Sequence, residues 1–284
     1  MDDAPRIISG WKRMQRCGAA LALLVPALSF AQAIAVPPSQ PGFFGAPVPT
    51  MTYLFEAKDA KVTLVFIPGG GGNFGIQPDW TDQQRYFSGP FNRMLRTLTD
   101  SRTTSGRTNL VIFDNPSDMP FRNRWSSART DSSHLSRIED VVRFYGEKLG
   151  KPIWLMGHSA GSISITALYK SLQGRKQEQL VAGLIYSAGV IGTSFDNDGT
   201  RLPVLVMHHE NDECVSTTPA NAIEIHKRLQ EGGNVNTDLV LLRTGMRAAD
   251  GQNPCVSGFH MYSGAIAEAS QAIDQFIGKH LEPR

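Results

Sequence analysis

Ser159 lies in Gly157-His158-Ser159-Ala160-Gly161, a G-x-S-x-G pentapeptide. A serine hydroxyl is a weak nucleophile at neutral pH. It attacks an acyl carbon only when a base within hydrogen-bond reach takes its proton and an acid orients that base. The apolar run 153–156 precedes the pentapeptide and has the pattern of a strand buried on both faces. Residues 162–172 contain no Pro or Gly and read as a helix. A serine on a sharp strand-to-helix turn is pushed outward, and flanking glycines remove the Cβ atoms that would meet the strand or the helix. Chance also supplies such pentapeptides, so the nucleophile reading depends on partners elsewhere in the chain.

In an open parallel sheet, catalytic groups collect beyond the carboxyl ends of the strands. The apolar run 203–208 is followed by His209-Glu210-Asn211-Asp212. Asp212 is the best-placed acid; Glu210 and Asp114, which also follows a predicted strand, compete with it. The candidate base is His260, in Ser257-Gly258-Phe259-His260-Met261, between the last predicted strand and the last predicted helix. Of the remaining histidines, His134 and His226 fall on predicted helices, and His158 is too close to Ser159 in sequence to turn back onto it. His208 and His209 precede the acid, and His280 is at the tail. A tetrahedral intermediate also needs backbone donors for its oxyanion. The N–H of Ala160 is one candidate, and Gly70 and Gly71, in the glycine run 69–72, are the others.

Competing chemistries fit less well. Residues 70–75 match G-x-G-x-x-G, but no helix clearly follows, Pro78 breaks the region, and no acid ends a strand about 20 residues on. A phosphate loop is excluded because no Gly-Lys-Ser/Thr follows. His208, His209, Glu210 and Asp212 could suggest a metal, but adjacent histidines at a strand end face opposite ways. Neither a cofactor nor a metal is expected.

The elements that must position these residues alternate. Strands are predicted at 51–57, 61–67, 109–113, 153–156, 181–187, 203–208 and 238–243, and helices at 91–98, 132–149, 162–172, 218–229 and 261–277. Residues 73–90 and 115–130 read as long loops. Strands alternating with helices predict an α/β fold with a mostly parallel central sheet flanked by helices.

Residues 1–33 read as a Sec-type signal peptide. Arg6, Lys12, Arg13 and Arg16 form a basic start, an apolar stretch of about a dozen residues follows, and Ala31-Gln32-Ala33 is a cleavage site. Translation from Met14 would give a more compact signal. Residues 34–50, rich in Pro and small residues, read as an irregular arm, and 51–284 as the folded domain. The chain carries 28 basic and 26 acidic residues; without residues 1–33 it has 24 of each. A neutral exported chain argues against nucleic acid or an anionic membrane surface as partner, and the apolar stretch is too short for a stable membrane anchor. Cys17 leaves with the signal, and Cys214 and Cys255, alone in an exported protein, are expected to pair. That bridge would tie the acid's loop to the base's loop.

The chain resembles the α/β-hydrolase family of serine hydrolases over about residues 50–280, in its G-x-S-x-G, in the order Ser159, Asp212, His260, and in the glycine run after an early strand. The resemblance implies an eight-stranded, mostly parallel sheet. It also implies acylation of Ser159, proton transfer by His260, orientation by Asp212, and hydrolysis of the acyl-enzyme by water. It is strongest to exported bacterial esterase-type members with a disulfide near the acid and histidine. Pro68 stands where lipases and esterases often have histidine. No large insertion follows the strand at 181–187, so no large cap domain is expected, and Trp80, Tyr86, Phe121 and Trp125 in the two long loops are substrate-pocket candidates. The expected activity is carboxylic-ester hydrolysis of a small-molecule substrate, in the periplasm or secreted. Thioesterase, peptidase and acyltransferase activities use the same triad, and a non-catalytic binding protein is the alternative of a different class.

Overall fold

The computed structural model describes residues 31–39, 48–80, 89–115, 125–190 and 200–281. Eight strands form one sheet: β1 (Ala31–Val36), β2 (Thr50–Phe55), β3 (Val62–Ile67), β4 (Thr108–Phe113), β5 (Ile153–His158), β6 (Gly183–Ser187), β7 (Val204–His209) and β8 (Thr237–Leu242). Their order is β1-β2-β4-β3-β5-β6-β7-β8. β2 runs antiparallel to both β1 and β4, and every other pairing is parallel. The strands that precede Ser159, Asp212 and the glycine run therefore all deliver their carboxyl ends to one edge.

Six helices accompany the sheet among the described residues: α1 (Pro90–Thr97), α2 (Trp125–Thr130), α3 (Ser132–Leu149), α4 (Gly161–Gly174), α5 (Pro219–Glu231) and α6 (Ile266–Lys279). Local chemistry sets several ends. The Asp131 carboxylate accepts from Ser133 N–H and caps α3, and Gly150, left-handed at φ 59°, closes it. Pro219 opens α5, where its missing N–H costs nothing.

The two faces of the sheet bury separate cores, as a period-two strand requires. On β5, Ile153 and Leu155 point to the core built with α3, α4 and α5. Trp154 and Met156 point to the core built with α1 and α6. Central strands buried on both faces are apolar at nearly every position, which is why 153–156 and 62–67 are legible as strands.

Several boundaries differ from the sequence expectation. The last helix begins at Ile266 rather than at residue 261. Gly258–Met261 instead forms a 3-10 turn, ended by Tyr262 at φ 53°. Residues 125–130 are helical rather than loop. Residues 34–36, expected in an irregular arm, belong to β1 with 31–33, the expected cleavage site. Most of the expected signal peptide lies outside the described residues. Sixteen residues separate β6 from β7, too few for a cap domain.

Trp154 locks the second core. It is 1% exposed, lies edge-on to Phe276, and sits so close to Gly183 that a Cβ there would be 2.5 Å from its ring. Trp154→Ala is expected to cost about 3–5 kcal/mol, read as a lower urea midpoint with an unchanged m-value.

Candidate active site

The turn after β5 has the geometry its glycines suggest. Ser159 adopts φ 50°, a left-handed conformation uncommon for a residue with a side chain. It is held there from both sides: its N–H donates to Ser187 O at 2.8 Å and its carbonyl accepts from Ser162 N–H at 3.0 Å. A Cβ at Gly157 would lie 2.5 Å from Gly161 O, and one at Gly161 would lie 2.1 Å from Ile67 O. Both neighbours are backbone, so the turn admits only glycine at these positions. Gly69 approaches from the other side, where a Cβ would lie 2.8 Å from Ser159 Cβ.

Beyond β7, Asp212 is buried and gathers four donors. His260 donates its Nδ1–H to Oδ2 at 2.9 Å. His208 donates its Nε2–H to the same oxygen at 3.0 Å, and Thr217 Oγ1 adds a bond of 3.2 Å. Cys214 N–H donates to Oδ1 at 2.9 Å. Burial by itself would raise this carboxyl, but the bonds from His208 and His260 outweigh it and hold Asp212 well below the ordinary value of 3.8. A carboxylate only accepts, so Nδ1 of His260 carries a proton, and Nε2 is the nitrogen left for a further partner. That nitrogen is buried and has no hydrogen-bond partner among the described residues. No hydrogen bond joins it to Ser159 Oγ in this structure.

The competing acids are engaged elsewhere. Glu210 is exposed and pairs with Arg243. Asp114 binds the N–H groups of Phe74 and Ile76 and so shapes the loop after β3. The adjacent histidines diverge. His208 faces Asp212, while His209 donates to Thr244 O and stacks on Phe259. His158 is sealed in the core against Phe91 and hydrogen-bonded to Ser187 Oγ. Burial, reinforced by nearby His260, pushes its pKa far below the ordinary histidine value. Cys214 and Cys255 form a disulfide, joining the Asp212 loop to the turn that precedes His260.

The glycine loop is tied down by its carbonyls. Gly70 O accepts from Arg129 Nη2, Gly71 O from Asn115 Nδ2, and Gly72 O from Asn115 N–H. The N–H of Ala160 lies at the start of α4. Of the pocket candidates, Trp80 is half-buried and packs against the second core. Tyr86 and Phe121 lie outside the described residues, and Trp125 opens α2 with a side chain that is not described.

Residues 64–249 match the alpha/beta hydrolase family. The chain belongs to this family. Three solved members of the fold superimpose on it. An esterase of Pyrococcus furiosus does so with a TM-score of 0.59 and 9% identity over 98% of this chain and 99% of that one. A dienelactone hydrolase of Anabaena variabilis gives 0.56 and 13% over 89% and 99%. A Xanthomonas campestris α/β serine hydrolase without a lid gives 0.56 and 13% over 89% and 97%. At such identity the likeness is one of fold. No curated protein matches the chain. Family membership supports a hydrolase activity.

Sequence reasoning weighed His208 only as a base or metal ligand, and it missed Thr217, Asn115 and Arg129. His208 and Thr217 precede and follow Asp212 in sequence, but nothing in their spacing shows that both turn onto it. Gly69 was visible in the glycine run but not distinguished as the residue against Ser159.

The depressed Asp212 has a sign that can be checked. A carboxyl whose folded pKa lies below its unfolded one stabilises the fold above the unfolded value and loses that stabilisation as pH falls below it. The stability gap between the parent and Asp212→Asn, from urea unfolding, is therefore expected to be widest above about pH 5 and to shrink toward about pH 2. A gap independent of pH would contradict the assignment of these bonds to an ionised Asp212.

Proposed function

We propose that this protein hydrolyses carboxylic esters through an acyl-enzyme on Ser159, with His260 as proton shuttle and Asp212 as its orienting acid. The observation that carries this reading is the buried 2.9 Å bond from His260 Nδ1 to Asp212, on the same edge of the sheet as a serine at φ 50° between two obligatory glycines. Asp212 fixes the tautomer that leaves His260 Nε2 able to accept the Ser159 proton. Such bonds are often long without substrate and tighten on binding, which accommodates the open Ser159–His260 pair.

In the proposed reaction, Ser159 Oγ attacks the ester carbonyl as its proton passes to His260 Nε2. The oxyanion is received by the N–H of Ala160 and by N–H groups of Gly70 or Gly71. The imidazolium, stabilised by Asp212, protonates the leaving alcohol. Water then enters, gives its proton to His260 and attacks the acyl carbon, releasing the acid and restoring Ser159. The esterase-like neighbours favour an oxygen ester as the substrate class, and the disulfide favours an oxidising compartment. We propose export through residues 1–33. Cleavage after Ala33 would leave 34–36 of β1, still paired with 50–52 of β2.

A short-chain p-nitrophenyl ester and a fluorophosphonate label test the reading together. The parent is expected to turn over the ester and to be labelled at Ser159. Ser159→Ala should lose both, with kcat down by about a million-fold, and Asp212→Asn should lose about ten-thousand-fold. A folded parent that neither hydrolyses the ester nor takes the label would overturn the proposal.

A further inference from the structure

Arg129 is fully buried on α2. A guanidinium taken out of water is costly unless its surroundings use the charge. Burial lowers its pKa to about 10, which still leaves it cationic at neutral pH. Its Nη2 donates to Gly70 O at 2.7 Å and its Nη1 to Ser164 Oγ at 3.2 Å. Ser164 lies on α4, the helix that follows Ser159, and also meets His134 Nε2 at 2.9 Å. Burial and the neighbouring Arg129 lower the His134 pKa to about 3, so His134 adds no second charge. One cation thus stands between the glycine loop and the nucleophile's helix.

Peptide geometry turns this contact into a statement about donors. In a planar trans peptide, the N–H of residue i+1 points opposite to the carbonyl of residue i. Gly70 O is drawn to Arg129, so Gly71 N–H is directed away from it. Gly71 O and Gly72 O are both held by Asn115, which sets the N–H groups of Gly72 and Asn73 in the same manner. Gly70 and Gly72 adopt φ 55° and 63°. Left-handed residues in such a turn let successive N–H groups converge as a concavity for an anion. None of the hydrogen bonds among the described residues uses the N–H of Gly70, Gly71 or Gly72.

We propose that Arg129 is a positioning residue for the oxyanion. It fixes the Gly70–Gly71 peptide so that Gly71 N–H is presented to the acyl oxygen, and its charge polarises that peptide as negative charge develops. The inference rests on the ester-hydrolase reading of the site. Hydrogen bonds in series strengthen one another, and in a low-dielectric interior a fixed cation acts mainly on charge that appears in the transition state. Its removal should therefore lower kcat and leave ground-state binding nearly unchanged.

The test compares the parent with Arg129→Met and Arg129→Lys, each checked for native fold by near-ultraviolet circular dichroism. Arg129→Met is expected to lose about a hundred-fold in kcat, with KM within about threefold of the parent. A trifluoromethyl ketone, which forms a tetrahedral oxyanion on serine, should lose affinity in step with kcat/KM. The product carboxylate should not. Arg129→Lys, which keeps the charge, should recover about tenfold of the loss in kcat. Where Arg129→Met does not fold, Arg129→Gln, which keeps a donor for Gly70 O and drops the charge, is read by the same criteria. An active parent whose uncharged variant keeps kcat within threefold, or loses only in KM, overturns this inference alone. A parent with no turnover and no label at Ser159 overturns the hydrolase reading and this inference with it.

Discussion

The carboxyl edge of the sheet in this α/β hydrolase is organised by one buried carboxylate. Asp212 comes from the turn after β7, His260 from the turn before α6, and Thr217 from the approach to α5. These segments meet because Oδ2 accepts from both of the latter and from His208, while Oδ1 accepts from the backbone of Cys214. An ionised group out of water is tolerable only with such a set of donors. His208 is the informative member. Its Nε2 faces two acceptors, Asp212 Oδ2 and Thr217 O, so that nitrogen carries a proton and donates. The disulfide adds a covalent tie between the residue whose N–H reaches Asp212 and the turn that precedes His260.

The second constraint is steric and acts around Ser159. The strand, the turn and α4 approach so closely that Gly157 and Gly161 face backbone oxygens, while Gly69 seals the opposite side. A left-handed serine is strained, and it persists because the elements around it are over-determined by the two cores. Strain in this turn places Ser159 at the carboxyl edge of the sheet. The loop opposite is organised from below by Asp114, Asn115 and Arg129, all of which act on its backbone.

Legibility in the sequence followed the range of the interactions. The extent of α3 could be read because its apolar residues recur at helical spacing and Gly150 acts within a turn of the end it closes. The central strands could be read because burial on both faces makes them continuously apolar. The start of α6 could not: Tyr262 takes a left-handed backbone while its hydroxyl bonds Ser187 and Met207, partners far away in the chain. β1 was hidden because an edge strand of Ala and Ile beside a proline-rich stretch carries little pattern of its own and exists by pairing with β2. Arg129 was hidden in what read as a long loop, since nothing local says that an arginine will be buried.

The sequence by itself determined the alternation of strands and helices, the elbow around Ser159, the chain order of serine, acid and histidine, and the pairing of two cysteines. Each of these rests on chemistry within a few residues or on residue type alone. Tertiary structure decided that Asp212, rather than Glu210 or Asp114, meets His260. It also decided that His208 and Thr217 close around that carboxylate, and that a buried cation holds the glycine loop. Those outcomes depend on which turns the sheet brings to one edge and which side chains then lose water together. Desolvation selects the partner only after the fold has chosen the neighbours.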